Sequence, residues 1–362
     1  MIPGRCIASL ALFASALFPP AVTQRLNAEI AQIAHQRNLP SVAVGIRVPG
    51  RGEYRFVTGY ADLKTHTLRR FSQPFRIASI TKAFTAAAVL QLVDRGRLRK
   101  RDPLARWYPA FPNAALITVD DLLRMRSGIA APNDDEVLAV VYDHPLEAAP
   151  TLKQLMATSA ALRPQFRKPD TVGVYTDLNY YILGGIVGRV TGNFIGAVIT
   201  RNLIRKLGLG QTSYPADAAL RGGLHGYGWN ARTHRFDDKT LFNPALAGAA
   251  GAMISNIGDL QSYIRVLCRG GLLPTATQRG MMQGQILNGT KMRYGEGVIT
   301  NPGICGHSGT INGFNTDAYY FEKPDAAVVV SVNRLDKDNK PQTTPVLDAV
   351  FKVIRSQLHV SM

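Results

Sequence analysis

Strand-like segments lie at both ends of this chain and helical ones fill its middle, which restricts the folds open to it. Near the N-terminus, Val42 to Val48 and Tyr54 to Tyr60 read as two strands joined by the turn Pro49-Gly50-Arg51-Gly52, a hairpin. Near the C-terminus, Asp317 to Phe321 and Ala326 to Val332 read as two more. Between them the pattern turns helical at Ile80 to Arg95 (rich in Ala, Leu and Val, stopped by Gly96), Val119 to Met125, Leu152 to Ala157, Asn179 to Val190 and Ile257 to Leu267. Amphipathic helices from Leu26 to Gln36 and from about Thr344 to Leu358 begin and end the folded part. The expected fold class is α+β: an antiparallel sheet flanked by N- and C-terminal helices, with a large helical insertion as a second lobe. Residues 24–98 and 246–362 would form the mixed lobe and 99–245 the mainly helical one. A cleft at their seam is the natural place for a site.

The first residues are expected to form a separate unit. Arg5 supplies a positive start, Ile7 to Phe18 is apolar but for Ser9 and Ser15, and Pro19-Pro20 would end any helix there. Ala21 and Thr23 then offer small residues to a signal peptidase. So short a run spans a bilayer poorly, and residues 1–23 read as a cleaved signal peptide. The protein is expected to be secreted or periplasmic, with no integral membrane segment after cleavage. Cleavage removes Arg5 and Cys6, so the formal charge of +17 drops by one and Cys268 and Cys305 remain. That pair is open to two readings, a disulfide or two buried thiols. The positive charge is mostly arginine and is spread along the chain, which draws the protein toward polyanions such as cell-wall polymers. No zinc-finger spacing or aromatic-basic motif argues for nucleic acid, and the histidines lack metal-ligand spacing. No metal or cofactor is expected.

Three short segments carry chemistry. In Ser79-Ile80-Thr81-Lys82, at the start of the apolar helix, Lys82 lies one turn beyond Ser79 on the same face. That sets an amine beside a hydroxyl, where burial and neighbouring cations would lower the amine's pKa, and the helix N-terminus favours a developing oxyanion. Taken alone, Ser79 reads equally well as a cap with Lys82 in solvent. Tyr175-Thr176-Asp177 supplies a phenol that a nearby cation makes able to relay a proton; alone, it reads more simply as a packed core tyrosine. Gly306-His307-Ser308-Gly309-Thr310 begins a strand where glycines would let a substrate backbone come close.

In this order and at these intervals, the three segments resemble the serine penicillin-recognising family, built on S-x-x-K, Y-x-N and [KH]-[TS]-G. The likeness extends to Phe75-Arg76-Ile77-Ala78, to Leu98 through Pro112, to Ile117 through Leu123 with Ser127-Gly128-Ile129, and to Ala249 through Asp259. It covers about residues 25 to 335 and implies a β-lactamase/transpeptidase-like fold. It also implies that Ser79 attacks a carbonyl to form an acyl-enzyme, and that Lys82 and Tyr175 shuttle its proton. The N–H groups of Ser79 and Thr310 would form the oxyanion hole, and the Thr310 hydroxyl would meet a substrate carboxylate. His307 would hold positive or hydrogen-bonding character on the far wall, next to Ser308 and Gly309.

Asp177 departs from the pattern, standing where the family has Asn. An amide donates and accepts, whereas a carboxylate only accepts; it also repels a substrate's carboxylate, or pairs with Lys82 and keeps it cationic, altering proton transfer. The leading expectation is a DD-carboxypeptidase or penicillin-binding protein acting on D-Ala-D-Ala-type peptides, prompted by His307 to Thr310. The alternatives are a carboxylesterase, prompted by Asp177, a β-lactamase, or a penicillin- or peptidoglycan-binding protein that no longer turns over. The expected partner is a small peptide, ester or β-lactam.

Overall fold

The computed structural model describes residues 17–130, 146, 148–162, 164, 169–170, 172–338 and 340–358. Most of the expected signal peptide, with Arg5 and Cys6, lies outside those residues. Within them, a helix runs Pro20–Gln36, so Pro20 starts a helix where the sequence suggested that it ends one. The physical reason is positional: a first-turn N–H has no helical acceptor to lose, and proline's φ already suits the helix. Phe18 is buried, its ring 5.8 Å from that of Tyr54.

Strand β1 (Ser41–Val48) turns back into β2 (Gly52–Asp62) over the expected hairpin, and β3 (Thr67–Leu68) extends that edge. Then come β4 (Phe75–Arg76), a small hairpin of β5 (Tyr227–Asn230) and β6 (Arg235–Asp238), and β7 (Ile254–Ser255), which pairs with β4. The last third adds β8 (Gln285–Ile286), β9 (Arg293–Tyr294), β10 (Ile299–Asn301), β11 (Ile304–Ile311), β12 (Phe314–Phe321) and β13 (Ala326–Val332). Among the described residues, nine of these strands form one antiparallel sheet in the order β3-β2-β1-β13-β12-β11-β10-β9-β8. The first and last long strands are neighbours, with Val42 opposite Val332 and Arg47 opposite Ala327. The β5–β6 hairpin lies in the stretch expected to be mainly helical. It is too short, at four residues a strand, to leave a periodic signal.

Alternation along β1 and β13 builds two cores. Val42, Val44 and Ile46 with Val328, Val330 and Val332 pack against the helices Pro20–Gln36 and Thr344–Leu358. Ala43, Ala327 and Val329 face the other way, into the larger core that holds the helices Thr81–Asp94 and Ile257–Arg269. With both faces covered, these strands need apolar residues at every position, which is why they read as apolar runs. Residues on the second face are small because a helix lies close. A Cβ on Gly45 would come within 2.5 Å of the Ile257 side chain.

The helix Thr81–Asp94 is buried on all sides from Thr81 through Leu92. A helix apolar all round belongs inside the molecule, and this one carries Lys82 there with it. The middle of the chain packs beside it as the helices Val119–Leu123, Leu152–Ala161, Leu178–Thr191 and Ile195–Ile199.

Cys268 and Cys305 are disulfide-bonded, which decides between the two readings of the pair. The bond ties the end of helix Ile257–Arg269 to β11 and closes a loop of sequence separation 37. A cross-link of that span stabilises by about 2–4 kcal/mol, chiefly by restricting the unfolded chain. The double variant Cys268→Ala/Cys305→Ala is expected to lose about that much in denaturant unfolding. Alkylation of both cysteines in native, unreduced protein would show that the bond is not formed.

Candidate active site

Ser79 sits in a single 3-10 turn, Ala78–Ile80, at the head of the helix Thr81–Asp94. The turn is sharp: Ala78 has φ +46°, a left-handed value that a non-glycine residue adopts only where its surroundings impose it. What imposes it is β11. A Cβ on Gly309 would fall 2.1 Å from the Ile77 carbonyl oxygen, so only glycine lets the strand run against the Ile77-Ala78 backbone. Sequence reasoning gave this glycine to the substrate; the backbone approaching it is the protein's own. Beyond Gly306, β10 no longer pairs with β11, so the strand edge from His307 onward is free of a strand partner on that side.

Lys82 is fully buried. Its Nζ donates to Ser79 Oγ at 2.8 Å and to the Ala250 carbonyl at 3.0 Å, and lies 2.8 Å from Asp177 Oδ1. That last contact is an ion pair more than a well-aligned hydrogen bond, since Oδ1 has no hydrogen-bond partner by angle. Asp177 stands at the N-terminal end of the helix Leu178–Thr191 with 49% of its side chain exposed. Tyr175 is half-buried, its hydroxyl bonded to both Ser79 and Lys82 and its ring centre 5.0 Å from Nζ. Of the residues the sequence singled out, Ser79, Lys82, Tyr175 and Asp177 thus meet in one cluster.

The electrostatics decide between the expectations for Lys82 and His307. Burial alone would pull the Lys82 pKa down, but the Asp177 carboxylate and Tyr175 outweigh it and the net shift is upward. Lys82 is therefore an ammonium at rest, as expected if Asp177 pairs with it and not as expected from neighbouring cations. Burial raises the Tyr175 pKa, and the Lys82 charge only partly offsets it, so the phenol keeps its proton. His307 is 1% exposed; burial, and then the Lys82 charge, push it down to about 3. It is neutral near pH 7 and holds no positive charge at the far wall. Its Nδ1 lies 2.5 Å from the Ser308 carbonyl and its Nε2 3.2 Å from the Tyr294 hydroxyl.

The arrangement is a hydroxyl held by a buried amine and a phenol at the head of a helix, beside an open strand edge. That is the equipment for acyl transfer through a serine ester. A profile of the beta-lactamase family matches residues 26–351. The chain belongs to that family. Among family relatives, a putative penicillin-binding protein, PbpX of Bacillus subtilis, is 26% identical over 78% of this chain and 67% of its own length. Esterase EstB of Burkholderia gladioli is 26% identical over 84% of this chain and 88% of its own. Of solved structures, a D-stereospecific amidohydrolase from Streptomyces sp. matches with TM-score 0.79 and 28% identity, covering 92% of this chain and 99% of that one. D-amino acid amidase from Ochrobactrum anthropi, at 22% identity and TM-score 0.78, shares the fold. The protein is a hydrolase of this serine family, and its fold is the β-lactamase/transpeptidase one.

Two residues at the family site went unmarked in the sequence. Asn315 Nδ2 donates to the Gly309 carbonyl and to Thr310 Oγ1, both at 3.1 Å. Its Oδ1 accepts from the N–H groups of Gln342 and Thr343, both at 2.8 Å, so it braces β11 against the start of the last helix. Tyr294 reaches His307 from β9. Both are unremarkable in their own segments; only the sheet order sets them beside β11. Ser308 and Thr310, out of step with His307 along the strand, lie opposite Asp317 and Asn315 of β12.

Proposed function

We propose that this chain is an acyl-serine hydrolase of small amides and esters whose acyl part carries an amino cation or no charge, D-amino acid amides first among them. One observation carries the reading: Asp177 pairs with Lys82 while half its side chain stays open. Where a family amide would donate to a substrate's acyl-amide carbonyl, this carboxylate offers only acceptors, which suit an α-ammonium or an N–H. Ser79 would attack the amide or ester carbonyl, lose its proton through Tyr175 and Lys82, and expel the amine or alcohol that receives that proton. The N–H groups of Ser79 and Thr310 would hold the oxyanion, and water would then release the acid. The names of the esterase and amidohydrolase relatives support the same class.

The DD-carboxypeptidase and β-lactamase readings ask for a cation to grip a substrate carboxylate. In this cluster Lys82 is buried against Ser79, Ala250 and Asp177 and His307 is neutral, while Asp177 adds repulsion. The relative named as a penicillin-binding protein supports them. The test is turnover of D-alanine amide and D-phenylalanine amide, their L forms and a p-nitrophenyl ester, against D-alanyl-D-alanine peptides and benzylpenicillin. Amide or ester hydrolysis exceeding peptide hydrolysis at least tenfold is expected. Faster peptide turnover with a stable penicillin adduct would restore the carboxypeptidase.

Export is part of the proposal, supported by the apolar run before Pro19 and by a disulfide that suits an oxidising compartment. Attraction to anionic cell-wall polymers is supported by Arg95, Arg99 and Arg101, exposed, near one another in sequence, and without an ion-paired acidic side chain among the described residues.

A further inference from the structure

Tyr294 touches both halves of the catalytic cluster. It is 1% exposed, and its ring meets that of Tyr175 edge-on at 5.7 Å and 90° and that of His307 at 5.7 Å and 89°. Its hydroxyl lies 3.2 Å from His307 Nε2 and 3.5 Å from the Tyr180 hydroxyl. Counting protons assigns the direction of each bond. The Ser308 carbonyl can only accept, so His307 Nδ1 carries the imidazole hydrogen. Nε2 of the neutral ring is then a bare lone pair, and the proton between it and Tyr294 comes from the phenol. Tyr180 gives its own hydrogen to the Leu123 carbonyl at 2.9 Å and so offers Tyr294 only a second acceptor, at 3.5 Å; the single phenolic hydrogen of Tyr294 goes to the nearer one, Nε2 at 3.2 Å.

We propose that Tyr294 is a positioning residue that locks His307 in the neutral Nδ1–H form and, through its ring, holds Tyr175 against Ser79 and Lys82. The inference rests on the reading of Ser79, Lys82 and Tyr175 as the reacting groups. It makes the far wall of the cleft an uncharged brace: His307 has no free lone pair and no free N–H to give a substrate. The groups facing His307 are Lys82 from the nucleophile's helix, Tyr175 from the turn before Leu178–Thr191, and Tyr294 from β9. Its cross-strand neighbour on β12 is Ala318, without charge. Protonating Nε2 must break the bond from Tyr294, so that bond holds the imidazole's basicity down, in the same sense as burial and the Lys82 charge.

The experiment combines nitrogen-15 NMR of histidine-labelled protein with kinetics of Tyr294→Phe, which keeps the ring and removes the hydroxyl. In wild type at neutral pH, the His307 signals, assigned by their loss in His307→Gln, are expected to show a protonated Nδ1 and a bare Nε2. In Tyr294→Phe, melting close to wild type would report an intact fold. There kcat for a p-nitrophenyl ester is expected to fall about tenfold, with KM within about twofold. His307 should take up a proton at higher pH than in wild type, moving the acid limb of the rate profile upward. A protonated Nε2 in wild type overturns the proposal even if the variant does not fold, as does a folded variant with wild-type kcat and acid limb. Failure of Ser79 to form any acyl adduct would instead sink the reading of the nucleophile, and the tautomer measurement would stand apart from it.

Discussion

Replacing Ser79 by alanine is expected to remove covalent capture and to lower turnover of any ester or amide by about ten-thousandfold or more. The loss is large because nothing else in the cluster can take the role. Lys82 is an ammonium with no lone pair at rest, and Tyr175 keeps its proton. Intact-protein mass spectrometry with benzylpenicillin and with a p-nitrophenyl ester would check it, comparing wild type with Ser79→Ala. An adduct that persists in the alanine variant would place the nucleophile elsewhere. If neither reagent modified wild type and no substrate turned over, a binding protein without turnover would become the better account.

Asp177→Asn is expected to reverse the substrate preference, shifting the ratio of D-alanyl-D-alanine peptide to D-amino acid amide turnover by roughly a hundredfold. Two effects add. The amide no longer repels a substrate carboxylate, and it can donate to an acyl-amide carbonyl as the family residue does. The same variant tests the electrostatics of Lys82. The Asp177 charge is the largest influence raising the Lys82 pKa against burial, so removing it must lower that pKa. If proton abstraction from Ser79 needs the unprotonated amine, activity rises as pH climbs through the Lys82 pKa. That rise should therefore begin at lower pH in Asp177→Asn than in wild type. An unmoved limb would mean that Lys82 keeps its proton throughout and that Tyr175 alone relays it. An unchanged substrate ratio would remove the argument for a cationic acyl group.

Much of the site was legible before any coordinates. Ser79 and Lys82 are three residues apart, so helical geometry alone puts them together. Tyr175 and His307 were placed with them by a resemblance, and the fold brings their rings to 6.4 Å of each other. The charge states were left open between a lowered Lys82 and one kept cationic by Asp177, and the structure favours the second. Whether Lys82 is pulled down or held up depends on the carboxylate that stands beside it, and Asp177 comes from the head of another helix. Pro20 was misread for a smaller reason: the same residue stops a helix from inside it and starts one at its first turn.

Local chemistry thus determined the hairpin at Pro49 to Gly52, the buried helix after Ser79 and the reacting pair at its head, since each depends on neighbours within a turn or two. The tertiary structure alone decided that β1 lies beside β13, that Cys268 meets Cys305, and that Gly309 exists to let β11 pass the Ile77 carbonyl. It also decided that Asn315 and Tyr294 brace the site. Those contacts join segments far apart in the chain, and only the closed sheet sets the distances on which a hydrogen bond, a disulfide or a pKa depends.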